Sequence, residues 1–515
     1  MLDNHFEVLV SIMCYSLFSS LLGISLGLAT AQQIQPREWT TWGINAGQWS
    51  EVVTRDVCII GGGGSGAHAA VLLKDRNKTV AIVERNYRLG GHAETYIDPV
   101  SQTPVDLGVT IHQPIPEVLS FFQRFGVDLL NMATMEWNQP GQPANKSLPS
   151  LGYRTIPKYS DFRSGVAVQR QQADPTAAFN RAAGVLFRYI CLLRGCSDFN
   201  PVPEDLYIPF GAFIEKYGLG DVVPTWYVYT QGMGDLLHMP TVYAIKYFNL
   251  DDIKALTQGH LTAARGDTAE LYSRVAEYIG KSNLFLQSTV ITSNRRNETT
   301  TTGRRELLIS TPESGLILLS CNQVLLTVPP TFDNLDGWDL SSEEHDVFSQ
   351  LSGANGYWTG LVTNVGLNQS FTYWNAAANT PFNIPVLPAL YALTPTGVLD
   401  DVWMLKFSAD TPALTDDQVR DYIRAEIRRL QHANCVSCTE IEFLILISHS
   451  PFMLHASSDK IREGFLGRLS ALQGGFGGSM FYSGAAFHTH YSSLLWRFNE
   501  EVVIPMMMAA STWRI

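Results

Sequence analysis

The sequence predicts an α/β protein built on a Rossmann-like parallel sheet, and two glycine-bearing segments at opposite ends of the chain support this prediction. Residues 57–91 have the order strand, glycine turn, helix, strand. Residues 480–496 have the order strand, glycine turn, polar loop, helix. Between them the apolar pattern changes from helical to β-rich, which predicts a second, α+β domain interleaved with the first and a helical insert.

The opening segment carries the glycine pattern of a dinucleotide-binding turn. An apolar run that ends at Ile60 predicts a buried parallel strand. Gly61, Gly63 and Gly66 follow it and fit G-x-G-x-x-G. In this pattern the first glycine allows the tight turn, the second lets a pyrophosphate approach the backbone, and the third lets the helix pack on the strand. The helix predicted over residues 65–74 points its N-terminal N–H groups at the phosphates.

A second strand is predicted over residues 79–83, and it ends at Glu84. This acid lies about 20 residues beyond the glycines, where a carboxylate accepts hydrogen bonds from the ribose of the nucleotide. A glycine pattern alone also occurs in ordinary surface turns. Here both strands, the helix and the acid agree, so the sequence predicts that the chain binds a dinucleotide.

Composition limits the class of protein. The chain has 515 residues, 45% of them hydrophobic and 16% charged, which indicates a globular protein of two or more domains. The formal net charge of −12 argues against a nucleic-acid surface, because phosphate binding needs clustered Lys and Arg. An enzyme that acts on a small molecule suits this balance better.

The N-terminus resembles a secretory signal peptide. Residues 6–28 are almost all apolar or small, and an A-x-A pattern ends at Ala31, which predicts a signal peptide over residues 1–31 and an arm over residues 32–53. We therefore expect a secretory-pathway or secreted protein with no stable membrane span after cleavage. The start of the chain is acidic rather than basic, which leaves an uncleaved membrane anchor and a wrongly assigned gene start as alternatives.

The cysteines fit secretion. Two of the seven, Cys58 and Cys321, lie in predicted core strands, where a cysteine is usually a small buried apolar residue. Four more lie in two local pairs, Cys191 with Cys196 and Cys435 with Cys438. For the last pair we predict a local disulfide, with a reduced surface pair as the alternative. A single C-x-x-C is weak evidence for zinc, so no metal site is expected. Four sequons, at Asn77, Asn145, Asn297 and Asn368, predict a glycoprotein.

The remaining chain divides by pattern. We assign residues 54–114, 275–335 and 451–515 to the cofactor domain, residues 115–274 to a mostly helical cap, and residues 336–450 to a substrate domain with an antiparallel sheet. The cap is rich in aromatic side chains, which form either core or the lining of a hydrophobic pocket. These aromatic residues are Trp226, Tyr227, Tyr229, Tyr243, Tyr247 and Phe248.

Several motifs resemble those of flavin amine oxidases and their relatives. After Glu84 the chain continues as Arg88-Leu89-Gly90-Gly91-His92, which is similar to the FAD-binding start of that superfamily. A strand through Val290 and a later V-P-P at residues 328–330 occur in the order found there, and the turn at Gly484 resembles its last FAD motif. The resemblance, and not the glycine spacing, selects FAD over NAD. It also makes His112, just beyond a D-x-G strand, either a pocket residue or a loop histidine.

The whole of residues 54–510 is similar to the fungal β-cyclopiazonate dehydrogenase family. The similarity rests on GGGGSG, ERNYRLGGHAETY, YTQGMGDLL and GAAFHTHYSSLLW. It implies an FAD-dependent oxidoreductase that transfers a hydride from a small hydrophobic secondary-metabolite intermediate to flavin, sometimes with ring closure. The implied partners are that substrate and O₂.

The resemblance also implies the site residues. The cofactor-binding residues would be Gly61, Gly63, Gly64, Gly66, Glu84, Arg85, Gly90, Gly91, His92, Val290, Gly484 and Ser493. The catalytic base would be His490, then His488 or His92, since histidine has a pKa near 7, with Tyr491 as a donor. Alternatively these histidines only hydrogen-bond the flavin. Ser492 and Ser493 are expected to cap the closing helix.

Two other functions were weighed against this one. An amino-acid or polyamine oxidase is weakened because such enzymes carry a lysine on the substrate-domain sheet, and the strand predicted at residues 357–362 has none. A non-catalytic carrier of the same fold, like the prenyl-binding escort proteins, would have lost flavin contacts. The complete glycine motif with Glu84 argues against that class.

Overall fold

A computed structural model describes residues 49–134, 137–138, 155–169, 176–196, 199–296 and 303–512. The predicted signal peptide, most of the predicted arm, and the sequons at Asn145 and Asn297 lie outside these residues. Among the helices described, none combines the length and the apolar character that crossing a membrane requires.

The described strands and helices follow one another in runs of one type as well as singly. The strands are Glu51–Ile60, Val80–Val83, Thr95–Ile97, Pro104–Asp106, Leu129–Asn131, Trp137–Asn138, Ile156–Ser160, Leu261–Ala263, Leu284–Phe285, Thr289–Asn294, Arg305–Thr311, Gly315–Leu326, Gly353–Thr363, Phe371–Asn375, Ala389–Pro395, Trp403–Ala409, Glu442–Ser448, Phe452–His455 and Met480–Tyr482. The α-helices are Gly64–Asp75, Pro116–Arg124, Thr176–Leu186, Ile190–Leu193, Glu204–Tyr207, Phe210–Tyr217, Val223–Tyr229, Thr241–Tyr247, Leu250–Gln258, Ala269–Ile279, Ser342–Ser349, Asp416–Ala433, Ser458–Arg462, Phe465–Ala471, Gly475–Gly478, Ser492–Phe498 and Ile504–Thr512.

The first sheet brings the two ends of the chain together. Its central strand, Glu51–Ile60, pairs in parallel with Val80–Val83 on one side and with Gly315–Leu326 on the other. Met480–Tyr482 pairs in parallel with the end of Gly315–Leu326. The last strand therefore lies in the same sheet as the first. The central strand begins at Glu51, inside the segment predicted as an arm, so the arm is shorter than expected.

The opening turn is as tight as its glycines predict. Gly61 has a φ of +103°, a conformation that side-chain-bearing residues rarely adopt. A Cβ atom added to Gly66 would lie 2.0 Å from the backbone oxygen of Gly61. The helix Gly64–Asp75 can therefore lie directly against the first strand only because glycine occupies this position.

The second sheet lies mainly in the residues predicted as the substrate domain. Its strand order is Glu442–Ser448, Gly353–Thr363, Trp403–Ala409, Ala389–Pro395, Phe371–Asn375, Ile156–Ser160, antiparallel except for the last pair. The amphipathic helix Asp416–Ala433 covers one face with buried apolar side chains such as Ile423 and Ile427. Thr415 caps this helix in a reciprocal arrangement with Gln418. The other face carries Tyr357, Thr359 and Lys406.

The cap combines core and lining residues. Trp226 and Phe248 are fully buried, and the Trp226 indole N–H donates to the Ala244 carbonyl oxygen at 3.2 Å. They belong to the core, as most aromatic residues do. Tyr229 and Tyr247 are only partly buried and pack at the edge of that core.

The cysteine pairing differs from the prediction at two places. Cys58 and Cys321 are buried, as expected, but they form a disulfide with Cα atoms 5.8 Å apart, because their adjacent parallel strands bring them together. Cys191 and Cys196 form a second disulfide. The predicted Cys435–Cys438 disulfide is wrong, since both cysteines are free and exposed. The Cys438 sulfur lies against the His432 ring instead, 3.4 Å from Nε2.

Candidate active site

The helix after the glycine turn and the closing segment are joined directly. The Trp496 indole N–H donates to the Gly64 carbonyl oxygen at 3.1 Å. The Ser65 and Ser483 hydroxyls lie 2.7 Å apart, and Asn499 Nδ2 donates to the Ser65 carbonyl oxygen at 2.9 Å. All of these groups except Gly64 are almost completely buried. The two motifs singled out from opposite ends of the sequence therefore form one site.

Two glycine turns face each other at this junction. The Gly90 amide donates to the Gly62 carbonyl oxygen at 2.9 Å, and Gly63 forms a β-bridge with Gly90. Gly63, Gly64 and Gly91 are partly exposed although their neighbours are buried. We call the space beside the accessible backbone of these three glycines the channel. A Cβ atom at Gly64 would lie 3.0 Å from the Tyr272 hydroxyl, so this tyrosine stands over the same channel.

Glu84 is buried at the end of the second strand, where the sequence predicts it. Its Oε2 accepts a hydrogen bond from the Gly62 amide at 2.7 Å, and its Oε1 accepts one from the Asn86 amide at 2.8 Å. Each carboxylate oxygen can accept a further hydrogen bond, so the group remains available to a ligand hydroxyl. Arg85, next to it, is exposed.

The segment before Val290 runs beside this acid. The Ser288 amide donates to the Glu84 carbonyl oxygen at 2.9 Å, and the Gln287 amide donates to that of Asn86 at the same distance. Val290 follows two residues later and is partly buried. The structure therefore brings Val290 close to the end of the second strand, as an adenine contact requires.

The closing turn is held by Gly484 and enters a helix without a side-chain cap. Gly484 has a φ of +96°, and a Cβ atom there would lie 2.6 Å from the Thr327 carbonyl oxygen. The helix Ser492–Phe498 has Tyr491 as its N-cap, so the prediction that Ser492 and Ser493 cap it is wrong. Both serines already lie in the first helical turn. Ser493 Oγ instead accepts a hydrogen bond from the Gln113 amide at 3.3 Å.

The two histidines of the closing motif point to different places. His490 Nε2 accepts a hydrogen bond from the Met453 amide at 3.1 Å, and its ring lies 4.1 Å from that of Phe452. The His488 ring stacks on Phe498 at 4.9 Å. The segment between Gly484 and Ser492 is an irregular loop, so residues two apart in it need not share surroundings. The structure does not bring these two candidates together.

His92 lies on the His490 side, with a histidine that the sequence did not single out. The rings of His92 and His449 are 4.5 Å apart, and His449 Nε2 lies 3.1 Å from the Thr359 hydroxyl. The ring of His92 also packs near Phe452, at 5.8 Å. We call this group the histidine cavity, defined by His92, His449, His490, Phe452 and Thr359. His449 follows an edge strand with no motif around it, so no local pattern could have indicated it.

Lys406 faces the same cavity and bears on the absence of a lysine that weakened the amine oxidase hypothesis. The strand with no lysine pairs with Trp403–Ala409 so that Thr359 lies opposite Lys406. Burial lowers the pKa of Lys406 to about 8, and the nearby Asp106 carboxylate opposes the shift. The second sheet therefore does carry a partly buried lysine on this face, one strand away from the strand predicted at residues 357–362.

The cavity histidines are less basic than the sequence argument assumed. Burial lowers the pKa of His490 to about 3. Burial, assisted by the positive charges of Arg85 and Arg88, lowers the pKa of His92 to about 4, although the residue is exposed at the surface of this group. Both imidazoles are neutral at pH 7. A neutral imidazole can accept a proton, but it binds that proton only weakly.

Tyr491 is held in a buried polar group. Burial and the neighbouring Asp252 carboxylate raise the pKa of the Tyr491 hydroxyl well above its usual range, so it stays protonated. Asp252 accepts from Gln113 Nε2 at 2.7 Å and lies 3.3 Å from His260 Nε2. His112, beside Gln113, is fully buried between Phe122 and Trp496. It is therefore not a surface loop histidine.

Comparisons with known proteins place the chain in a family. The NAD(P)-binding Rossmann-like domain family matches residues 59–125. The FAD-dependent oxidoreductase oblC of Cochliobolus heterostrophus is 34% identical over 471 residues, which cover 89% of this chain and 92% of that protein. β-Cyclopiazonate dehydrogenase of Aspergillus flavus is 30% identical over 464 residues, covering 88% and 94%. This chain belongs to that family of FAD-dependent oxidoreductases. The family predicted from the motifs is confirmed.

A solved structure supports the fold. The CLA-producing fatty acid isomerase from P. acnes matches with a TM-score of 0.67 and 15% identity, covering 88% of this chain and 98% of that one. At this identity the match concerns the fold alone. Together with the Rossmann-like family match and the parallel sheet, it confirms the predicted fold class.

The residues present fit an FAD molecule. The glycine turns leave the backbone of Gly63, Gly64 and Gly91 accessible at the start of the helix Gly64–Asp75, as the approach of a pyrophosphate requires. Glu84 lies at one end of that channel with acceptor capacity left over. The closing motif and the histidine cavity lie at its other side.

Proposed function

We propose that this chain holds FAD between the opening glycine turns and the closing segment, and oxidises a small hydrophobic secondary-metabolite intermediate beside the histidine cavity. The observation that carries the proposal is the junction of the two ends, where Trp496 and Ser483 bond to the first turn of the helix Gly64–Asp75. When bound, FAD supplies a ring that accepts a hydride and is reoxidised, here by O₂. The other roles belong to residues of this chain.

The cofactor would be held largely by backbone. Gly61, Gly63 and Gly66 shape the opening turn, and Gly64 and Gly91 keep side chains off the accessible backbone. Gly90 and Gly484 allow close packing against Tyr272 and Thr327. Glu84 would accept hydrogen bonds from the ribose, and Val290 would contact the adenine. Tyr272 adds a hydroxyl over the channel that the sequence did not indicate. Arg85 is exposed, so its support is electrostatic, through the positive charge that it brings toward His92.

We propose His92, rather than His490, as the base that takes a proton from the substrate. His490 already uses Nε2 to accept the Met453 amide, so it would present only its other nitrogen, as an N–H donor. The ring of His92 is exposed to the cavity and contacts its neighbours only through ring packing among the described residues. A positioned base of this kind contributes about 10² to 10⁴ in rate.

The substrate would be neutral or anionic. The histidine cavity collects His92, His449, His490 and Lys406, while the Asp106 carboxylate, which interacts with Lys406, already accepts hydrogen bonds from the amide and hydroxyl of Thr268. Such a cavity disfavours the ammonium group of an amino acid or polyamine. The partly buried Lys406 nevertheless removes the objection from the sequence to an amine oxidase. Release of hydrogen peroxide when the protein is given simple amines would support the amine oxidase function.

The lining toward the cap suits an aromatic or other apolar substrate. Tyr357 donates to Gln231 Oε1 at 3.2 Å, and the Tyr391 hydroxyl accepts from the Gly232 amide at 3.0 Å. Their rings, with that of Tyr227, pack beside the cavity. Rings fixed by hydrogen bonds give a pre-formed apolar wall, as small-molecule sites usually have.

Flavin content tests the proposal. We expect the purified protein to be yellow, and Glu84→Gln to bind FAD about 10- to 100-fold more weakly, because a hydrogen bond to a charged group contributes about 1.5–3 kcal/mol. Glu313→Gln, at an exposed acid, is the matched control and should not change binding. Absorbance near the flavin bands and titration of the apoprotein with FAD measure both. A colourless protein that FAD cannot reconstitute would favour the carrier function instead.

We also propose that residues 1–31 direct the chain into the secretory pathway. The two disulfides and the exposed sequons Asn77 and Asn368 support this proposal, since both modifications belong to that compartment. Expression of the full chain in a fungal host, with the mass of the secreted product before and after deglycosylation, tests it. Retention of an unmodified chain in the cytosol would contradict it.

A further inference from the structure

One tyrosine side chain lies against both glycine turns of the opening segment. Tyr272 belongs to the helix Ala269–Ile279. A Cβ atom at Gly64 would lie 3.0 Å from the Tyr272 hydroxyl, and a Cβ atom at Gly90 would lie 2.9 Å from Cδ2 of the same ring. The two glycines therefore leave the room that Tyr272 occupies. Its hydroxyl stands where a side chain at position 64 would begin, at the start of the helix Gly64–Asp75.

The helix that carries Tyr272 is fixed at both ends. At its start the Asp106 carboxylate, from the D-x-G strand, accepts hydrogen bonds from the Thr268 amide at 2.9 Å and from the Thr268 hydroxyl at 2.8 Å. At its end the Lys74 ammonium donates to the Ile279 carbonyl oxygen at 3.2 Å. Asp106 and Lys74 both belong to the predicted cofactor domain. The position of Tyr272 is therefore set by the same unit that forms the channel.

The Tyr272 hydroxyl is a donor without an acceptor. Among the described residues none forms a hydrogen bond with it. Tyr272 is 2% exposed, and its hydroxyl is not one of the fully enclosed, unpartnered hydroxyls such as those of Tyr227 and Tyr491, so its remaining surface includes the hydroxyl oxygen. Burial raises the pKa of this hydroxyl, and the positive charge of Arg88 opposes the shift only in part, so the proton stays in place at pH 7. A ligand in the channel can therefore receive a hydrogen bond from it.

Neighbouring polar side chains are already engaged or enclosed. The Ser65 hydroxyl, in the first turn of the helix Gly64–Asp75, lies 2.7 Å from the Ser483 hydroxyl. The Arg88 guanidinium pairs with the Glu94 carboxylate. The Ser492 hydroxyl is fully enclosed. Tyr272, by contrast, has a donor that is both unpaired and accessible.

The surroundings of the Tyr272 hydroxyl favour an anionic acceptor. Backbone N–H groups at the start of the helix Gly64–Asp75 attract anions, and the nearby charge of Arg88 adds to this attraction. The Glu84 carboxylate has the opposite charge and suits the ribose hydroxyls instead. The pyrophosphate is the part of FAD that carries negative charge. It is therefore the part of the cofactor that matches this position.

We propose that the Tyr272 hydroxyl donates a hydrogen bond to a phosphate oxygen of bound FAD. The inference rests on the proposed binding of FAD and adds to that site a residue from outside both glycine motifs. The hydrogen bond would pair a free neutral donor with a charged acceptor, which is the stronger kind of hydrogen bond. Gly64 would serve this contact by leaving the room for the tyrosine.

Titration of the apoprotein with FAD, ADP and riboflavin tests this inference. ADP contains the pyrophosphate without the flavin, and riboflavin contains the flavin without the pyrophosphate. We expect Tyr272→Phe to weaken the binding of both FAD and ADP by about 10-fold or more, because a hydrogen bond to a charged group is lost. Riboflavin binding should stay within about twofold of that of the unmodified protein.

Tyr278→Phe is the matched control. It removes a hydroxyl from the same helix, one that donates to Asp75 at 2.6 Å at an exposed site. This variant should bind all three ligands like the unmodified protein. Phosphorus NMR of the FAD-loaded proteins provides a second readout, since Tyr272→Phe should shift a phosphorus resonance of FAD that Tyr278→Phe leaves in place.

Two results would overturn the inference. The first is binding of FAD and ADP by Tyr272→Phe that equals binding by the unmodified protein. The second is an equal weakening of all three ligands, which would indicate a general loss of structure. The unmodified protein keeps this test apart from the proposed function. If it binds FAD and Tyr272→Phe binds FAD equally well, the role of the tyrosine fails while the proposed function stands. If it binds neither FAD nor ADP, the proposed function itself fails, and this inference fails with it.

Discussion

The closing segment of the chain has two sides, and the histidines of one short motif fall on different ones. His490 lies with His92 and His449 in the histidine cavity, while the ring of His488 stacks on Phe498 and its Nδ1 has no hydrogen-bond partner among the described residues. Burial lowers the pKa of both imidazoles. The surroundings differ: a backbone amide already occupies His490 Nε2, whereas nothing described in the structure occupies His488 Nδ1.

This difference shows what a motif can and cannot assign. An extended chain directs successive side chains to alternating sides, so residues two apart are expected to share a side only in a regular strand. The segment between Gly484 and Ser492 is a loop, and its two histidines diverge. Chemistry assigned to both from their spacing alone would therefore be wrong for one of them.

The largest expected effect comes from disrupting the opening glycine turn, against which the closing segment packs. A Cβ atom in Gly66→Ala would meet the Gly61 carbonyl oxygen at 2.0 Å, a backbone atom that cannot move without opening the turn. We expect a loss of about 3 kcal/mol or more in the free energy of unfolding and loss of FAD binding. Denaturant titration and flavin absorbance measure these two effects.

Gly184→Ala is the control for Gly66→Ala. Gly184 lies in the helix Thr176–Leu186, and a Cβ atom there would meet nothing within 4 Å. It should gain about 0.5–1 kcal/mol, because alanine favours the helix more than glycine does. If Gly66→Ala behaved like this control and kept its flavin, the glycine turn would not have the role given to it.

How far the sequence determined the site depends on the range of the interactions. Gly61, Gly66 and Glu84 were predictable because a strand, a tight turn and a helix impose their residue types within about 30 residues. Gly484 was predictable from its own turn and the helix that follows it. The helix after Thr415 was also predictable, since its cap and its apolar spacing are local.

Long-range pairing set the rest, and no local pattern could reveal it. Lys406 reaches the cavity because its strand pairs with the one that carries Thr359, a register decided by the whole sheet. Cys58 and Cys321 are joined across a sequence separation of 263 residues. Tyr272 belongs to an amphipathic helix, Ala269–Ile279, whose buried face the sequence shows without indicating that its hydroxyl stands over a glycine turn.

The next effect distinguishes the two sides by rate. If His92 is the base, His92→Asn should lower turnover about 100-fold or more while flavin content stays unchanged. His490→Asn should cost about 10-fold, since a single donor is lost and the base remains. His488→Asn, on the other side, should leave turnover within about twofold.

Steady-state rates on one substrate, each normalised to flavin content, check this order. The pH profile provides a second readout. Because the pKa of His92 is lowered to about 4, the unmodified enzyme should lose activity only as the pH falls toward 4. An order in which His488→Asn was the most damaging would contradict the assignment of the two sides.

The smallest expected effect concerns the stability of the folded protein in acid, to which the histidines on both sides of the closing segment contribute. A histidine that is neutral when folded and takes up a proton when unfolded makes the unfolded chain bind more protons, so stability falls as the pH drops below the ordinary pKa of 6.5. For His490, with its pKa lowered to about 3, the loss continues down to about pH 3 and amounts to about 1.4 kcal/mol per pH unit. Between pH 6.5 and pH 5 this is about 2 kcal/mol.

In His490→Asn the denaturant midpoint should therefore depend less on pH over this range, whereas the control His238→Asn, at a side chain 82% exposed, should keep the dependence of the unmodified protein. If all three proteins showed the same pH dependence of stability, His490 would not be held neutral in the folded state, and it would not differ from the exposed His238.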